Sequence, residues 1–257
     1  MKKYRYSYQT IVRYSALVAS HQFQLRCSAS SDGSQNIIEQ NLELLSSAKR
    51  HYTSDNFGNT LIYGSVRAPH DIFVVAINGV ALCGYYLFVE ATPHPMFLAH
   101  TSLTASNSEI MLFGDGAPRV GSSIEQALVL CQMLHSKMSY IPGVTTTESS
   151  AIDSFSLSAG VCQDYAHLLI SLARSRGIHA RYVAGLLVGT GQTHAWVEIY
   201  SNGAWHGVDP THNRRIDFGY IKISHGRDAA DCSVSRGVYR GTASHTTEVR
   251  VMVDEII

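Results

Sequence analysis

The spacing of apolar residues changes near residue 100, and no other feature of the chain constrains its fold as strongly. Before that point, runs rich in Tyr, Val, Ile and Thr alternate in polarity between turn residues, as in residues 4–18 and 37–45. Short strands at this spacing predict an antiparallel β-sandwich-like or barrel domain of about a hundred residues. Beyond it, helical and strand patterns are mixed. We therefore predict an α+β protein with a β domain over residues 1–100 and a second domain over residues 101–257.

Three helices are predicted in the second domain. The best defined covers residues 160–176, where an apolar stripe precedes Arg174 and Arg176 in the last turn and Gly177 supplies the stop. The other helices are predicted over residues 122–135, which Ser122 or Ser123 can cap, and over residues 147–155. Strands are predicted over residues 180–187, 194–200, 205–209 and 248–257.

Composition excludes several classes of protein. Hydrophobic residues make up 45% of the 257 positions, which is enough for a core and excludes wholesale disorder. The 20 basic and 20 acidic side chains cancel, so we expect no nucleic-acid partner, because such binding depends on a basic surface. The most apolar stretch, residues 71–89, is interrupted by Asn78, Gly79 and Gly84, so we expect no membrane span.

The five cysteines indicate a compartment. They are odd in number, widely spaced and without a C-x-x-C pair, which is unlike a secreted disulfide framework. The first residues also lack the apolar stretch of a signal peptide. We expect a cytoplasmic protein with free thiols. The sequence does not indicate an oligomeric state.

Cys162 lies at the predicted start of the helix over residues 160–176. A helix N-terminus offers unpaired N–H groups and a partial positive charge, which stabilise a thiolate and a developing oxyanion. A free cysteine is more commonly a small buried apolar residue, so position alone does not assign it a role.

A base and an acid are predicted on one hairpin. If Asn202 and Gly203 form a two-residue type I′ turn, Trp196 faces Asp209 across the strands. His194 then lies diagonal to Asp209 on the same side of the sheet. A nucleophile, a base and an orienting acid are what acyl transfer requires, and Cys162, His194 and Asp209 supply them.

Four segments surround these residues: Gly160-Val161-Cys162-Gln163-Asp164-Tyr165-Ala166-His167, residues 174–183, His194-Ala195-Trp196-Val197-Glu198 and Asp209-Pro210-Thr211. Together they resemble the transglutaminase-like, papain-like thiol superfamily. Residues 52–59 and 226–231 resemble the bacterial branch that carries an N-terminal β domain. His179 departs from the family pattern, which has a proline before Ala180. We expect this difference to alter a loop rather than the chemistry.

The resemblance implies a helix carrying Cys162 packed on an antiparallel sheet carrying His194 and Asp209. It implies that Cys162 is the nucleophile, His194 the base and Asp209 the residue that orients the base. Tyr140, Gln163 and Trp196 are further candidates for an oxyanion or cleft position, although a core position is favoured for Tyr140 and is the alternative for Trp196.

Several functions remain open at this point. We expect no cofactor and no metal, since Cys131, His135, His206 and His212 do not follow a metal-ligand spacing. The expected substrate is a peptide or protein amide, cleaved by a cysteine protease or amidase through a thioester. An amine in place of water would make the enzyme a transglutaminase, but no calcium loop is present. A non-catalytic binding module with the same fold is the third alternative.

Overall fold

The computed structural model describes residues 1–44 and 48–257, in which two large antiparallel sheets and four α-helices are formed. The helices are α1 (Ser108–Asp115), α2 (Ser123–Lys137), α3 (Ala151–Leu157) and α4 (Cys162–Arg174). The strands are β1 (Lys2–Leu25), β2 (Gln35–Leu44), β3 (Lys49–Ser54), β4 (Thr60–Val66), β5 (His70–Cys83), β6 (Leu87–Val89), β7 (Ser139–Tyr140), β8 (Ala159–Gly160), β9 (Ala180–Leu187), β10 (Gly189–Gly191), β11 (His194–Ser201), β12 (Ala204–Asp209), β13 (Arg214–Arg215), β14 (Tyr220–Gly226), β15 (Ser235–Arg240) and β16 (His245–Ile256).

The N-terminal β region is organised by β1, a single strand of 24 residues. Its first half pairs with β5 and β16, and its second half pairs with β4 and β15. Register shifts between Arg13 and Val18 and between Ala19 and Gln22 separate the two halves. The sequence predicted one strand over residues 4–18 and a separate alternating stretch over residues 23–27. The chain instead bends at these irregularities, because a bulged strand can change sheets without a turn.

The core of this region confirms the predicted sandwich-like arrangement. Tyr4, Tyr6 and Tyr8 alternate along β1, and each is 2% exposed. They share an apolar cluster with residues of β4, β5 and β16 and with Leu186 and Ile221 from the other sheet. The N-terminal region and the second sheet therefore have a continuous core.

The second sheet runs in the order β13-β12-β11-β9-β14, and α2 and α4 pack against β11. Ala166, Leu169, Ile170 and Ala173 of α4 are fully buried in one cluster with residues of β9 and β11. The predicted α+β fold, with the cysteine-bearing helix packed on an antiparallel sheet, is confirmed.

The helix starts follow their capping residues. The start predicted for α2 is confirmed: Ser122 caps the helix, and its backbone N–H and side-chain hydroxyl each donate to Glu125 Oε2 at 2.7 Å. The prediction for α3 began too early, because Ser150 forms the corresponding pair with Asp153 and starts the helix at Ala151. No helix in the described part of the chain has the length and hydrophobicity that crossing a bilayer requires.

Strands from both sides of residue 100 pair within the same sheets, so sheet membership does not divide at the domain boundary drawn there. Two late strands, β15 and β16, pair with β1 in the N-terminal sheets. Conversely, β6 pairs with β12 of the second sheet. Alternating polarity identifies a strand but not its distant partner, so the boundary drawn from the sequence assigned these strands by position alone.

Two buried amide side chains join the N-terminal region to β14, which is an edge strand of the second sheet. The Gln35 carboxamide donates to the Lys222 carbonyl at 2.8 Å and accepts from the Lys222 amide at 2.9 Å. Asn59 forms the same pair of bonds with His225, also at 2.8 and 2.9 Å. Each amide thus takes the place of a neighbouring strand on the edge of β14.

Replacing Asn59 is expected to destabilise the junction. The change Asn59→Ala leaves the partly buried N–H and C=O of His225 without these partners and also removes the bond from Asn59 to Asp55, so we expect the free energy of unfolding to fall by about 2–4 kcal/mol. Urea denaturation measures this change. Asn41→Ala is the control, because the Asn41 side chain is exposed and its hydrogen bond goes to another exposed residue, Glu43. An equally small effect for both variants would contradict the assignment.

Candidate active site

Cys162 is the first residue of α4, and Asp164 fixes the backbone that precedes it. The Asp164 carboxylate accepts hydrogen bonds at 2.7 Å from both the Val161 amide and the Thr145 hydroxyl. A side chain in the first turn that returns to the preceding amide defines where a helix begins. A Cβ on Gly160 would lie 2.5 Å from Asp164 Oδ2, so this close approach needs glycine. Asp164 therefore holds the entry to the helix.

Cys162 differs from the other cysteines in its exposure. It is partly exposed at the start of α4, whereas Cys27, Cys83, Cys131 and Cys232 are buried. Burial raises the pKa of Cys27, Cys83 and Cys131 to about 12. A buried thiol of that kind stays protonated and is not a nucleophile. Cys162 is therefore the accessible thiol of the chain.

The predicted hairpin register is confirmed. Ser201 pairs with Ala204, and the ladder continues to Val197 opposite Val208. Asn202 and Gly203 have φ values of 53° and 81°, as a type I′ turn requires. Continuing this register brings His194 and Asp209 to the same side of the sheet.

His194 is hydrogen-bonded to Asp209, with Nε2 at 2.8 Å from Oδ2. The other ring nitrogen, Nδ1, is the one left for the thiol. Burial alone would lower the pKa of His194, but the hydrogen bonds to Asp209 and Cys162 and their negative charges raise it to about 9. The arrangement therefore favours an imidazolium at neutral pH.

Asp209 is fully buried and surrounded by donors. In addition to His194, Oδ2 accepts from the Tyr220 hydroxyl at 2.6 Å and bonds His212 Nδ1 at 2.7 Å. The other oxygen accepts from the backbone amides of Thr211 and His212 at 2.9 and 3.1 Å. Burial would raise the pKa of Asp209, but the bonds from His194, His212 and Tyr220 hold it far below its usual range. This carboxylate stays ionised.

Tyr220 is itself oriented by Arg214. The guanidinium donates to the Tyr220 oxygen from Nε at 2.9 Å and from a terminal nitrogen at 2.7 Å. With its oxygen accepting both bonds, the hydroxyl proton of Tyr220 is directed to Asp209. Sequence reasoning missed Tyr220, because it lies on β14 and no local pattern links it to Asp209. His212 was considered only as a metal ligand, although its place after Asp209-Pro210-Thr211 was compatible with a turn around Asp209.

Three side chains that the sequence did not indicate as a metal site lie close together in the structure. One ligand atom each from His194, Asp209 and His212 lies within 4.8 Å of the others. The hydrogen bonds from both rings to Asp209 Oδ2 account for this closeness. Cys131, named as a candidate ligand, is buried under the hairpin and its Sγ donates to the Asp209 carbonyl at 3.7 Å.

The three further candidates differ in position. Tyr140 is 54% exposed and faces the thiol, and burial together with the charges of Cys162 and Asp164 raises its pKa. The Gln163 side chain donates to the Thr147 carbonyl at 3.3 Å. The proposal that Trp196 lies on the cleft surface is wrong. Its ring is fully buried, stacks at 6.2 Å from the His194 ring, and donates Nε1–H to Tyr86.

Two cavities meet at the thiol and the imidazole. One, of about 420 Å³, is lined by both polar and apolar residues, and we call it the apolar arm after four of them: Tyr140, Pro142, Leu187 and Val188. The other, of about 580 Å³, is also of mixed lining and is here called the polar arm after the charged residues Glu148 and Arg236 on its wall. The residues common to both are Val161, Cys162, Gln192, Thr193 and His194. The N-terminal sheets contribute Tyr8 and Thr10 to the polar arm. The cleft thus extends on both sides of Cys162.

Removing the Tyr220 hydroxyl is expected to strengthen the bond between Asp209 and His194. In Tyr220→Phe, Asp209 loses a donor that stabilises its charge, so it holds the His194 proton more tightly. We expect the pKa of His194 to rise by about half to one unit. An NMR titration of histidine-labelled protein measures it, with His194→Gln identifying the signal. Tyr6→Phe removes a buried hydroxyl that bonds Gln40 and is the control; an unchanged pKa in Tyr220→Phe would contradict the role given to this hydroxyl.

Stability is expected to depend on pH through His194. Because the folded pKa of about 9 lies above the unfolded value of 6.5, protonation of His194 stabilises the fold fully below pH 6.5. That contribution is lost as the pH rises through 9. The free energy of unfolding should therefore decrease over this range more steeply in the native protein than in His194→Gln. His206→Gln, on the same hairpin, is the control and should keep the native slope.

Comparison with known proteins agrees with the fold. A model of the transglutaminase-like superfamily matches residues 116–210, which include Cys162, His194 and Asp209. A model of the bacterial transglutaminase-like N-terminal region matches residues 4–81. An uncharacterized protein of Mycobacterium leprae is 27% identical over 91% of this chain and 91% of its own. One of Mycobacterium tuberculosis is 24% identical over 99% of this chain and 92% of its own.

The fold is also similar to a solved structure. The crystal structure named "Putative Cysteine Protease" from Cytophaga hutchinsonii covers 100% of this chain and 92% of its own, with a TM-score of 0.81 and 24% identity. At this identity the likeness shows the fold alone. With a transglutaminase-like core joined to a bacterial transglutaminase-like N-terminal region, the chain belongs to the transglutaminase-like superfamily.

Proposed function

We propose that the protein is a thiol-dependent hydrolase of amide or peptide bonds that acts through Cys162, His194 and Asp209. The observation that carries the proposal is the 2.8 Å bond from His194 Nε2 to the buried Asp209, with Cys162 beside the same imidazole at a helix start. The fold is that of a superfamily with thiol chemistry, and the solved structure from Cytophaga hutchinsonii is named "Putative Cysteine Protease".

The first half-reaction forms a thioester. The Cys162 thiolate attacks the amide carbonyl, and the first N–H groups of α4 stabilise the oxyanion of the tetrahedral intermediate. The His194 imidazolium donates its proton to the departing nitrogen, the C–N bond breaks, and the amine leaves. Asp209 holds the ring orientation and stabilises the imidazolium in the ground state.

The second half-reaction releases the acid. His194, now neutral, takes a proton from water as the water attacks the thioester carbonyl. Collapse of the second tetrahedral intermediate breaks the C–S bond and regenerates the thiolate and the imidazolium. An amine could enter in place of water, which would make the protein a transglutaminase. We favour water, because the sequence indicates no dedicated site for a second substrate.

We propose a cytoplasmic location for this activity. All five cysteines are free in the structure, and four of them are buried thiols that a reducing compartment would preserve. Fractionation of cells expressing a tagged chain would test the location, and recovery outside the cytoplasm would contradict it.

Alkylation of Cys162 as a function of pH tests whether the thiol is activated. We expect iodoacetamide to label Cys162 selectively below pH 7, because the imidazolium stabilises the thiolate. Mass spectrometry compares it with the four buried cysteines. In His194→Ala the selective labelling below pH 7 should disappear, whereas His206→Ala, a buried histidine of the same hairpin, should retain it. A profile with an ordinary pKa near about 8.5 would favour a non-catalytic module instead.

Product analysis distinguishes hydrolysis from amine transfer. Protein and glutamine-bearing peptide substrates are incubated with and without a fluorescent primary amine, and peptide cleavage, ammonia and amine incorporation are measured. We expect cleavage or ammonia release to exceed incorporation. Cys162→Ala should abolish turnover, and Asp209→Asn should lower kcat by about 10²–10⁴-fold. Faster incorporation than release would establish the transglutaminase alternative.

A further inference from the structure

The short strand β10 lies at the outer edge of a sheet. Gly189 pairs with Val253 and Gly191 pairs with Val251, both on β16. Within residues 1–44 and 48–257, no strand pairs with the other side of β10. All of Gly189–Gly191 is exposed. An unpaired strand edge presents free N–H and C=O groups to which another extended chain can bond.

This edge belongs to the wall of the candidate active site. Thr190 and Gly191 line the apolar arm together with Cys162 and His194. From β10 the chain continues through Gln192 and Thr193, which line both arms, and reaches His194, the third residue after Gly191. A chain paired with β10 would therefore lie within the cleft that contains the thiol.

The edge is open to a close backbone approach. A Cβ built on Gly189 or on Gly191 would meet no heavy atom within 4 Å. Two glycines that have space for a side chain but carry none leave this space to a visiting chain. Gly189 has a φ of 110°, which favours glycine for conformational reasons, whereas no such requirement holds at Gly191.

The apolar side chains that line the same cavity as β10 indicate what such a chain would carry. Tyr140 and Val188 are 54% and 46% exposed at the apolar arm, and Pro142 and Leu187 also line it. Exposed apolar surface concentrated around a cavity is typical of a binding site. An apolar side chain would bury this surface.

We propose that the substrate is an extended segment of polypeptide that adds as a strand to the free edge of β10. Its backbone would bond the edge, an apolar side chain would fill the apolar arm, and the chain would continue into the polar arm beyond Cys162. Main-chain bonding and a side-chain pocket are the two components of peptide recognition by strand addition. The inference rests on the proposed function for the cleavage step, but not for the binding step.

A peptide-linked electrophile tests the binding step through the rate of alkylation. An acetyl-blocked tripeptide vinyl sulfone, with leucine next to the vinyl group, is compared with methyl vinyl sulfone, which has the same reactive group. We expect the peptide to label Cys162 at least about tenfold faster. N-methylation of the peptide amides should remove this advantage in the native protein, because it removes donors and obstructs strand pairing.

Gly191→Val places a branched side chain on the edge without disturbing the fold, since the Cβ position is open. We expect it to abolish the peptide advantage, measured as the ratio of the peptide rate to the methyl vinyl sulfone rate in the same variant. Gly84→Val is the matched control, because a Cβ there meets only ordinary contacts at 3.7 Å or more and Gly84 lines neither arm. Retention of the advantage by both the N-methylated peptide and Gly191→Val would overturn the proposal.

A second measurement does not need a reactive thiol. The same blocked peptide, without the vinyl group and with a fluorophore, is titrated with Cys162→Ala and with Cys162→Ala combined with Gly191→Val, and anisotropy is read. We expect binding to the first variant and about tenfold weaker binding to the second. Binding without any selective alkylation would reject the proposed function and keep the peptide site. Equal binding, or none to either variant for any apolar residue tested, would reject the peptide site.

Discussion

The charge of Asp209 is the constraint on which the arrangement of the site depends. An ionised carboxylate with no solvent contact costs several kcal/mol unless donors surround it. The donors come from three parts of the chain: β11, the turn that follows β12, and β14. Because all three must be in place to satisfy one carboxylate, that carboxylate fixes the position of the hairpin, the turn and the edge strand relative to one another. The orientation of His194 toward Cys162 follows from this fixed frame.

The N-terminal region supports the same frame from the opposite edge. Gln35 and Asn59 complete the hydrogen bonds of β14, the strand that also carries Tyr220 to Asp209. Strand β16 pairs with both β1 and β10, so the sheet built around β1 extends to the wall of the cleft. The N-terminal β region and the transglutaminase-like core therefore form one structure around the thiol, and the β region contributes directly to the cleft.

Local patterns were sufficient for the features that are close in sequence. The turn at Asn202 and Gly203 fixed the hairpin register, and a short-range pattern placed Cys162 at a helix start. Interactions that depend on tertiary packing were not predictable in this way. Tyr220 reaches Asp209 from another strand, Trp196 turned out to lie beneath His194, and β16 pairs with β1 from the far end of the sequence. An alternating pattern indicates which face of a strand is buried, but not which strand lies beside it.

Because β10 pairs with a strand near the end of the chain, the cleft wall is completed late in synthesis. Cys162, His194 and Asp209 all precede β16 in the chain, and so does β10. A ribosome therefore completes the thiol, the imidazole and the carboxylate before it adds the strand that holds the cleft wall in place. Until β16 emerges and joins β1, β10 has no partner to hold it. The nascent chain thus carries its reactive groups for some time before the groove beside them is complete.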